Sequence, residues 1–265
     1  MAVPDWQLPQ GVTRGAWDYA RSKPAADEYD DYHAGNPLFD VEAELLCEEL
    51  GEPDVEQPGV IADFGCGSGR TIVPLARAGW RGLAIDLSDA MLDVVRQKAE
   101  TETLRIECVR ANLVELGVEA VPNGAAAHGV CLFSTLGMIA GRANRRRALA
   151  NMRRVLTPGG KLVVHVHNFW FNLRDPGGPG WALRSYLRGD REGHVICYRT
   201  YPYRGVPFFF LHAYRRRELA DDLASANLTP TRWFCLAADR RGELRRPWLL
   251  PALRTQGWIV VATAS

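Results

Sequence analysis

The stretch Val60-Ile61-Ala62-Asp63-Phe64-Gly65-Cys66-Gly67-Ser68-Gly69-Arg70 decides how the rest of the chain reads. Gly59 to Ala62 is an apolar run of the kind that forms a short strand inside a parallel sheet covered on both faces. Asp63 follows, then three glycines at alternate positions, then Thr71 to Ala78, which reads as a helix. Glycines let the chain turn sharply and let a ligand approach the backbone. The first amide N–H groups of the following helix have no partner within it and face that ligand. Glycine-rich turns are common in α/β proteins, so the surrounding chain must give this one its meaning.

Working outward, strand and helix alternate. Leu83 to Ile85 is a second strand ending at Asp86, and Ser88 reads as the N-cap of a helix carrying Met91, Leu92, Val94 and Val95. Arg105 to Val109 and Gly129 to Phe133 read as strands three and four, and Leu162 to Val166 as strand five. Short links between alternating elements imply a doubly wound, mainly parallel α/β sheet. Upstream, Val41, Leu45, Leu46 and Leu50 repeat at helical spacing. Residues 1–58 form an aromatic N-terminal arm with helices, and 59–168 the core. The stretches 194–201 and 207–214 read as a hairpin, so residues 169–215 are an inserted cap. Residues 216–265 supply a closing helix and two more strands, the last antiparallel, making seven.

Composition limits the function. The chain has 265 residues, 47% hydrophobic and 24% charged, with net charge +1. No apolar run approaches the roughly 20 residues that span a bilayer, and Met1 to Gln10 lacks the basic and apolar regions of a secretory signal. Six cysteines without a CxxC pair suggest reduced, largely buried thiols and a cytoplasmic protein. Arginines outnumber lysines 29 to 3, but near-neutral total charge does not suit a general nucleic-acid binder. Clusters such as Arg145-Arg146-Arg147 and Arg215-Arg216-Arg217 read as solvated faces.

Asp86 lies 23 positions after Asp63. If their strands are neighbours, its carboxylate can accept hydrogen bonds from vicinal ribose hydroxyls beside the glycine loop. The glycine spacing is GxGxG with Arg70 where a dinucleotide fingerprint has its last glycine, and no GK[ST] follows, which excludes a phosphate-cradling P-loop.

Asp63-Phe64-Gly65-Cys66-Gly67-Ser68-Gly69, followed by Ala84-Ile85-Asp86-Leu87-Ser88, resembles the class I S-adenosylmethionine-dependent methyltransferases, of Rossmann-like fold and small-molecule type. Arg110-Ala111-Asn112-Leu113 is similar to their third cofactor loop, and Arg154-Val155-Leu156-Thr157-Pro158-Gly159-Gly160 to their turn before strand five. The resemblance covers residues 27–168 and continues more loosely beyond. It implies S-adenosylmethionine as cofactor. Gly65 and Gly67 would then contact its methionine half, Asp63 would hold the glycine loop or the amino group, Asp86 the ribose, and Leu87, Met91, Asn112 and Leu113 the adenine, with Cys66, Arg70 and Ala111 as further cofactor contacts. Phe133 and Ser134 would line the methyl group. Asn112 departs from the family's usual aspartate, and His128 from an aspartate near strand four.

Transfer from a sulfonium needs alignment above all, with a general base only where the acceptor must lose a proton. His167 and Tyr32 are the candidate catalytic groups, with His33, His165 and His212 as further bases. Tyr29, His33, Asn168, His212 and Tyr214 are candidate acceptor contacts. Aromatic residues of the cap, including Trp170, Trp181, Tyr198, Phe208 and Phe209, offer walls for a flat, apolar or cationic acceptor. The expected partner is a small molecule, with neither membrane nor nucleic acid; a homodimer is left open. Two alternatives stay open: an acceptor on tRNA or protein, met by Arg215–Arg217, and a non-catalytic protein that binds the cofactor or its demethylated product.

Overall fold

The protein was analysed as a computed structural model describing residues 4–187, 195–197, 204–206 and 209–265. Seven strands form one sheet: β1 (Val60–Phe64), β2 (Arg81–Asp86), β3 (Ile106–Arg110), β4 (His128–Cys131), β5 (Lys161–His167), β8 (Leu228–Cys235) and β9 (Gly257–Ala264). A separate pair joins β6 (Val195–Cys197) to β7 (Phe210–His212). The order in the large sheet is β3-β2-β1-β4-β5-β9-β8. Strands β1 to β5 pair in parallel, and β9 runs antiparallel to both β5 and β8. The order reverses at β1/β4, and ligands of such sheets bind where strand order reverses, beyond the carboxyl ends of the strands.

Alternation along the strands sends side chains into two cores. Ile61, Val163, Ile259 and Val261 pack under α4 (Pro37–Leu50), α5 (Ile72–Arg77) and α6 (Asp89–Glu102). Ala62, Phe64, Leu162, Val164 and Val260 pack under α7 (Arg142–Val155) and α9 (Arg216–Ser225). The helix ends follow the expected chemistry: Ser88 Oγ accepts from Met91 N at 3.2 Å, and Gly51 closes α4 at φ 70°.

Two features differ from the sequence reading. β4 stops at Cys131, because Phe133 and Ser134 turn into left-handed conformations at φ 51° and 62°. The arginine-rich helix α7 is not simply solvated: Arg145 is buried, and Arg142 and Arg146 both pair with the buried Asp222, at 2.8 and 2.7 Å. Within the cap, α8 (Gly178–Leu187) begins inside the glycine- and proline-rich run 175–180.

The cap leaves and rejoins the core at one point. Tyr214 N donates to His167 O at 2.8 Å, and Phe169 N donates to Tyr214 O at 2.9 Å. The expected hairpin is present in the β6/β7 pairing; Tyr198 and Phe208 lie outside the described residues. The arm contributes α1 (Arg14–Ala20), α2 (Lys23–Asp27) and α3 (Tyr29–His33), and a short helix, α10 (Pro251–Arg254), precedes β9. Among the described residues no helix is long and apolar enough to cross a membrane; Cys47, Cys66, Cys108, Cys131 and Cys235 are free, with Cys47 exposed rather than buried.

Candidate active site

A cavity of about 350 Å³ opens at the carboxyl ends of β1, β2, β4 and β5, within the size range of small-molecule sites. Its floor is the glycine loop. Gly65, Gly67 and Gly69 all have positive φ (84°, 53° and 84°). A Cβ on Gly65 would lie 2.3 Å from Thr135 Cγ2, so the loop can follow this path only without side chains.

Asp86 sits at the rim of that floor. Its Oδ2 accepts from Gly67 N at 2.9 Å and its Oδ1 from Ser88 N at 2.8 Å. Each oxygen keeps a second lone pair for a ribose hydroxyl. Burial raises its pKa, against the pull of these two amides. Asp63 is buried deeper, with Oδ2 lacking a hydrogen-bond partner among the described residues. Burial pushes its pKa up to about 7, although the Arg70 guanidinium pulls the other way. An orphaned carboxylate beside the glycine loop suits a cationic ligand group, which would satisfy it and restore its charge.

Arg70 is fixed from two sides. Its Nη2 meets Glu42 Oε2 at 2.8 Å, and its guanidinium carbon lies 3.8 Å from the Phe39 ring centroid and 5.8 Å from that of Phe133. Glu42 is 1% exposed, and its Oε1 lies 2.9 Å from His165 Nδ1. Burial alone would raise the pKa of Glu42, but Arg70 and His165 hold it below the ordinary value. His165 is therefore part of a buried support. Glu42 escaped the sequence reading, though a signal existed: it shares the inward face of α4 with Leu38, Val41, Leu45 and Leu46.

The arm forms the roof. Ser68 Oγ donates to Asp30 Oδ1 at 2.6 Å, while Lys98 Nζ reaches Asp30 Oδ2 at 2.5 Å and Ser68 O at 2.8 Å. Ser88 Oγ donates to Ala20 O at 2.5 Å. Tyr29 lies over Gly67, and the ring of His33 packs edge-on against Phe133 at 5.1 Å. Burial depresses His33 to about 4, with Arg204 and Arg70 adding to the effect. Arg204, from the cap, donates to Ala25 O at 2.7 Å and stands 4.8 Å over the Tyr32 ring. It ties cap to arm, and nothing in its sequence context marks it.

Most predicted positions line this cavity: Asp63, Gly65, Cys66, Gly67, Arg70, Asp86, Leu87, Met91, Ala111, Asn112, Leu113 and Phe133, with Tyr29, Tyr32, His33 and His167. Four do not. Ser134 is fully buried and its left-handed backbone turns it away, leaving Thr135 as the hydroxyl on the wall. Asn168 is buried, with Nδ2 donating to Ala252 O and Thr255 O at 2.6 and 2.7 Å, so it pins α10 rather than a substrate. His212 points at Glu218, Nε2 to Oε1 at 2.8 Å, inside a buried cluster with Arg145 and Tyr214. Tyr214 is wholly buried there. Asn112 reaches the cavity but uses its amide elsewhere. Nδ2 donates to Gln10 O at 2.9 Å and Glu115 Oε2 at 2.7 Å, and Oδ1 accepts from Val114 N at 3.1 Å. It braces the arm instead of offering an adenine contact.

His167 lies at the end of β5. Its Nδ1 is 3.1 Å from Gln256 Nε2. With the Gln256 amide oriented so that its nitrogen faces Nδ1, Nδ1 accepts and the ring proton sits on Nε2. Burial pushes its pKa down to about 3, helped by His165 and Arg240. In this state His167 is a neutral ring lining the cavity.

Residues 61–160 match the family model described as "Methyltransferase domain". A Geobacillus sp. (strain WCH70) protein, whose methyltransferase designation is itself provisional, is 30% identical over 109 residues, 41% of this chain and 42% of that protein. The chain thus spans less than half the length of this curated relative. The CcbJ methyltransferase of Streptomyces caelestis superposes with a TM-score of 0.65 at 20% identity, covering 93% of this chain and 98% of that one. The 1,6-didemethyltoxoflavin-N1-methyltransferase of Burkholderia thailandensis, solved with its substrate and S-adenosylhomocysteine, gives 0.61 at 16%, covering 98% and 93%. At such identities the solved structures speak for the fold. Residues 61–160 are thus similar to methyltransferase domains, and the fold is the class I, Rossmann-like one.

Proposed function

We propose that the whole chain transfers a methyl group from S-adenosylmethionine to a small molecule held between the glycine loop and the cap. The observation that carries this reading is one continuous cavity. It runs from Asp63, Gly67 and Asp86 to His167, Phe209 and Leu211, past the positions assigned to the cofactor. A protein that only stored the cofactor would need no second half. A tRNA or protein acceptor is less well supported: Arg216 covers Trp233 at 4.7 Å, on α9, and Arg215 to Arg217 do not line the cavity. The solved toxoflavin-pathway relative likewise acts on a small molecule.

In this reading the ammonium of the methionine half meets Asp63, its carboxylate meets Arg70 and the backbone of Gly65 to Gly67, and Asp86 takes the ribose. Leu87, Met91, Ala111 and Leu113 enclose the adenine. The cofactor supplies the activated methyl. The cap-side wall of the cavity, with Phe209 and Leu211, would hold the acceptor in line with that methyl. With His33 and His167 neutral and weakly basic, alignment in a dehydrated cavity contributes most of the acceleration. Tyr32, more than half exposed at the mouth, is placed to contact an entering acceptor.

Isothermal titration with S-adenosylmethionine, S-adenosylhomocysteine and NAD tests the cofactor reading. The expected result is binding of the first two and none of NAD; tighter binding of NAD would sink it.

A further inference from the structure

The acceptor half of the cavity carries its own chemical signature. Met138, Ile139, Phe209 and Leu211 make most of its wall. The polar side chains entering it include His167 and Arg240. His167 has Nδ1 engaged by Gln256 at 3.1 Å, so its remaining polar atom is the Nε2–H donor. Arg240 lines the same cavity from the loop joining β8 to β9.

Arg240 is held in an uncommon state. Its φ is 60°, a left-handed conformation few non-glycine residues adopt. The turn that imposes it is closed by Ala237 N donating to Gly242 O at 2.9 Å and Arg240 N donating to Ala237 O at 3.0 Å. Backbone strain of this kind persists where the surroundings over-determine it, and such residues cluster at ligand sites. Among the described residues the Arg240 guanidinium forms no hydrogen bond or ion pair. The neighbouring Asp239 is exposed and turns its Oδ1 to Arg241 N at 3.1 Å.

Charge elsewhere in the cavity is already matched. Arg70 is neutralised by Glu42, and the lining carboxylates, Asp63 and Asp86, belong to the cofactor end. The acceptor end therefore offers a permanent cation and a neutral donor with no acidic lining residue. A planar guanidinium beside an N–H is a match for an oxyanion, and charge-assisted bonds of this type are the strong ones.

We propose that Arg240 and His167 form an oxyanion subsite that anchors a carboxylate on an otherwise apolar, flat acceptor. The anchored group is distinct from the atom that receives the methyl. This deepens the reading of the cavity as a methyl-transfer site and rests on it.

Benzoate and benzamide share shape and size but differ in charge, so ligand-observed NMR with the full chain preloaded with S-adenosylhomocysteine separates the contributions. Benzoate is expected to bind about tenfold more tightly than benzamide, the effect of one charged hydrogen-bonding partner. Arg240→Ala should remove that preference, and Arg240→Lys should keep part of it, while titration shows S-adenosylhomocysteine affinity unchanged in both. No benzoate binding, equal binding of the two probes, or a preference that survives Arg240→Ala would overturn the subsite. Failure of the wild-type chain to bind S-adenosylhomocysteine would instead overturn the methyl-transfer reading, so the two failures are distinguishable.

Discussion

The two halves of the cavity are built by different means. The cofactor half rests on main chain: three glycines with positive φ, amides bonded to Asp86, and strand ends held by a parallel ladder. The acceptor half rests on side chains brought from α3, from the cap beside β7 and from the β8–β9 loop. Backbone sites tolerate little change in sequence, because their geometry depends on a missing Cβ. Side-chain sites can be rewritten residue by residue without disturbing the sheet. A fold of this design can keep one methyl donor while changing what it methylates.

Gly65→Val should break the first half most severely. The new side chain meets Thr135 and the backbone prefers another φ, so S-adenosylhomocysteine binding by calorimetry should fall at least about a hundredfold, with a lowered melting temperature. Retained affinity would show that the loop is less rigid than its geometry implies. Asp86→Ala comes next. Loss of a charged hydrogen-bonding partner should weaken cofactor binding by about tenfold or more, and unchanged affinity would remove Asp86 from the site.

Asp63 sharpens the contrast through pH. Its folded pKa is raised by burial to about 7, above the value in an unfolded chain. The cofactor-free protein therefore gains stability from Asp63 at low pH and loses it as pH rises through about 7. Asp63→Asn should remove that part of the decline in a series of thermal melts. If an ammonium binds there, the carboxylate ionises, so cofactor binding near pH 6 should release a proton in the wild type and not in Asp63→Asn. Calorimetry in buffers of different ionisation enthalpy measures this. The smallest effect belongs to Asn112→Ala, expected to change cofactor affinity by only about two- to threefold, because its amide braces Gln10 and Glu115. A tenfold loss would return Asn112 to the adenine site.

Much of the cofactor half was legible in the chain. Asp63, the glycines and Asp86 sit at the ends of β1 and β2, and these strands are adjacent in the parallel sheet, so short-range spacing translates directly into proximity. Asn112 lines the cavity as expected from the chain, but its amide is engaged by Gln10 of the arm, 102 residues away along the chain. Histidine and tyrosine near strand ends are harder. His165, His167 and His212 look equivalent in sequence, yet one supports Glu42, one enters the cavity and one is sealed against Glu218.

Periodicity, caps and glycine spacing are local, and they determined the alternating fold, the glycine loop and the place of Asp86 beside it. Only the tertiary structure decided which titratable groups face the cavity, because that depends on contacts such as Glu42 with Arg70, Arg204 with the arm and Gln256 with His167. Those pairs are separated by long stretches of chain. The energy that selects them lies in burial and charge neutralisation, which no single segment carries.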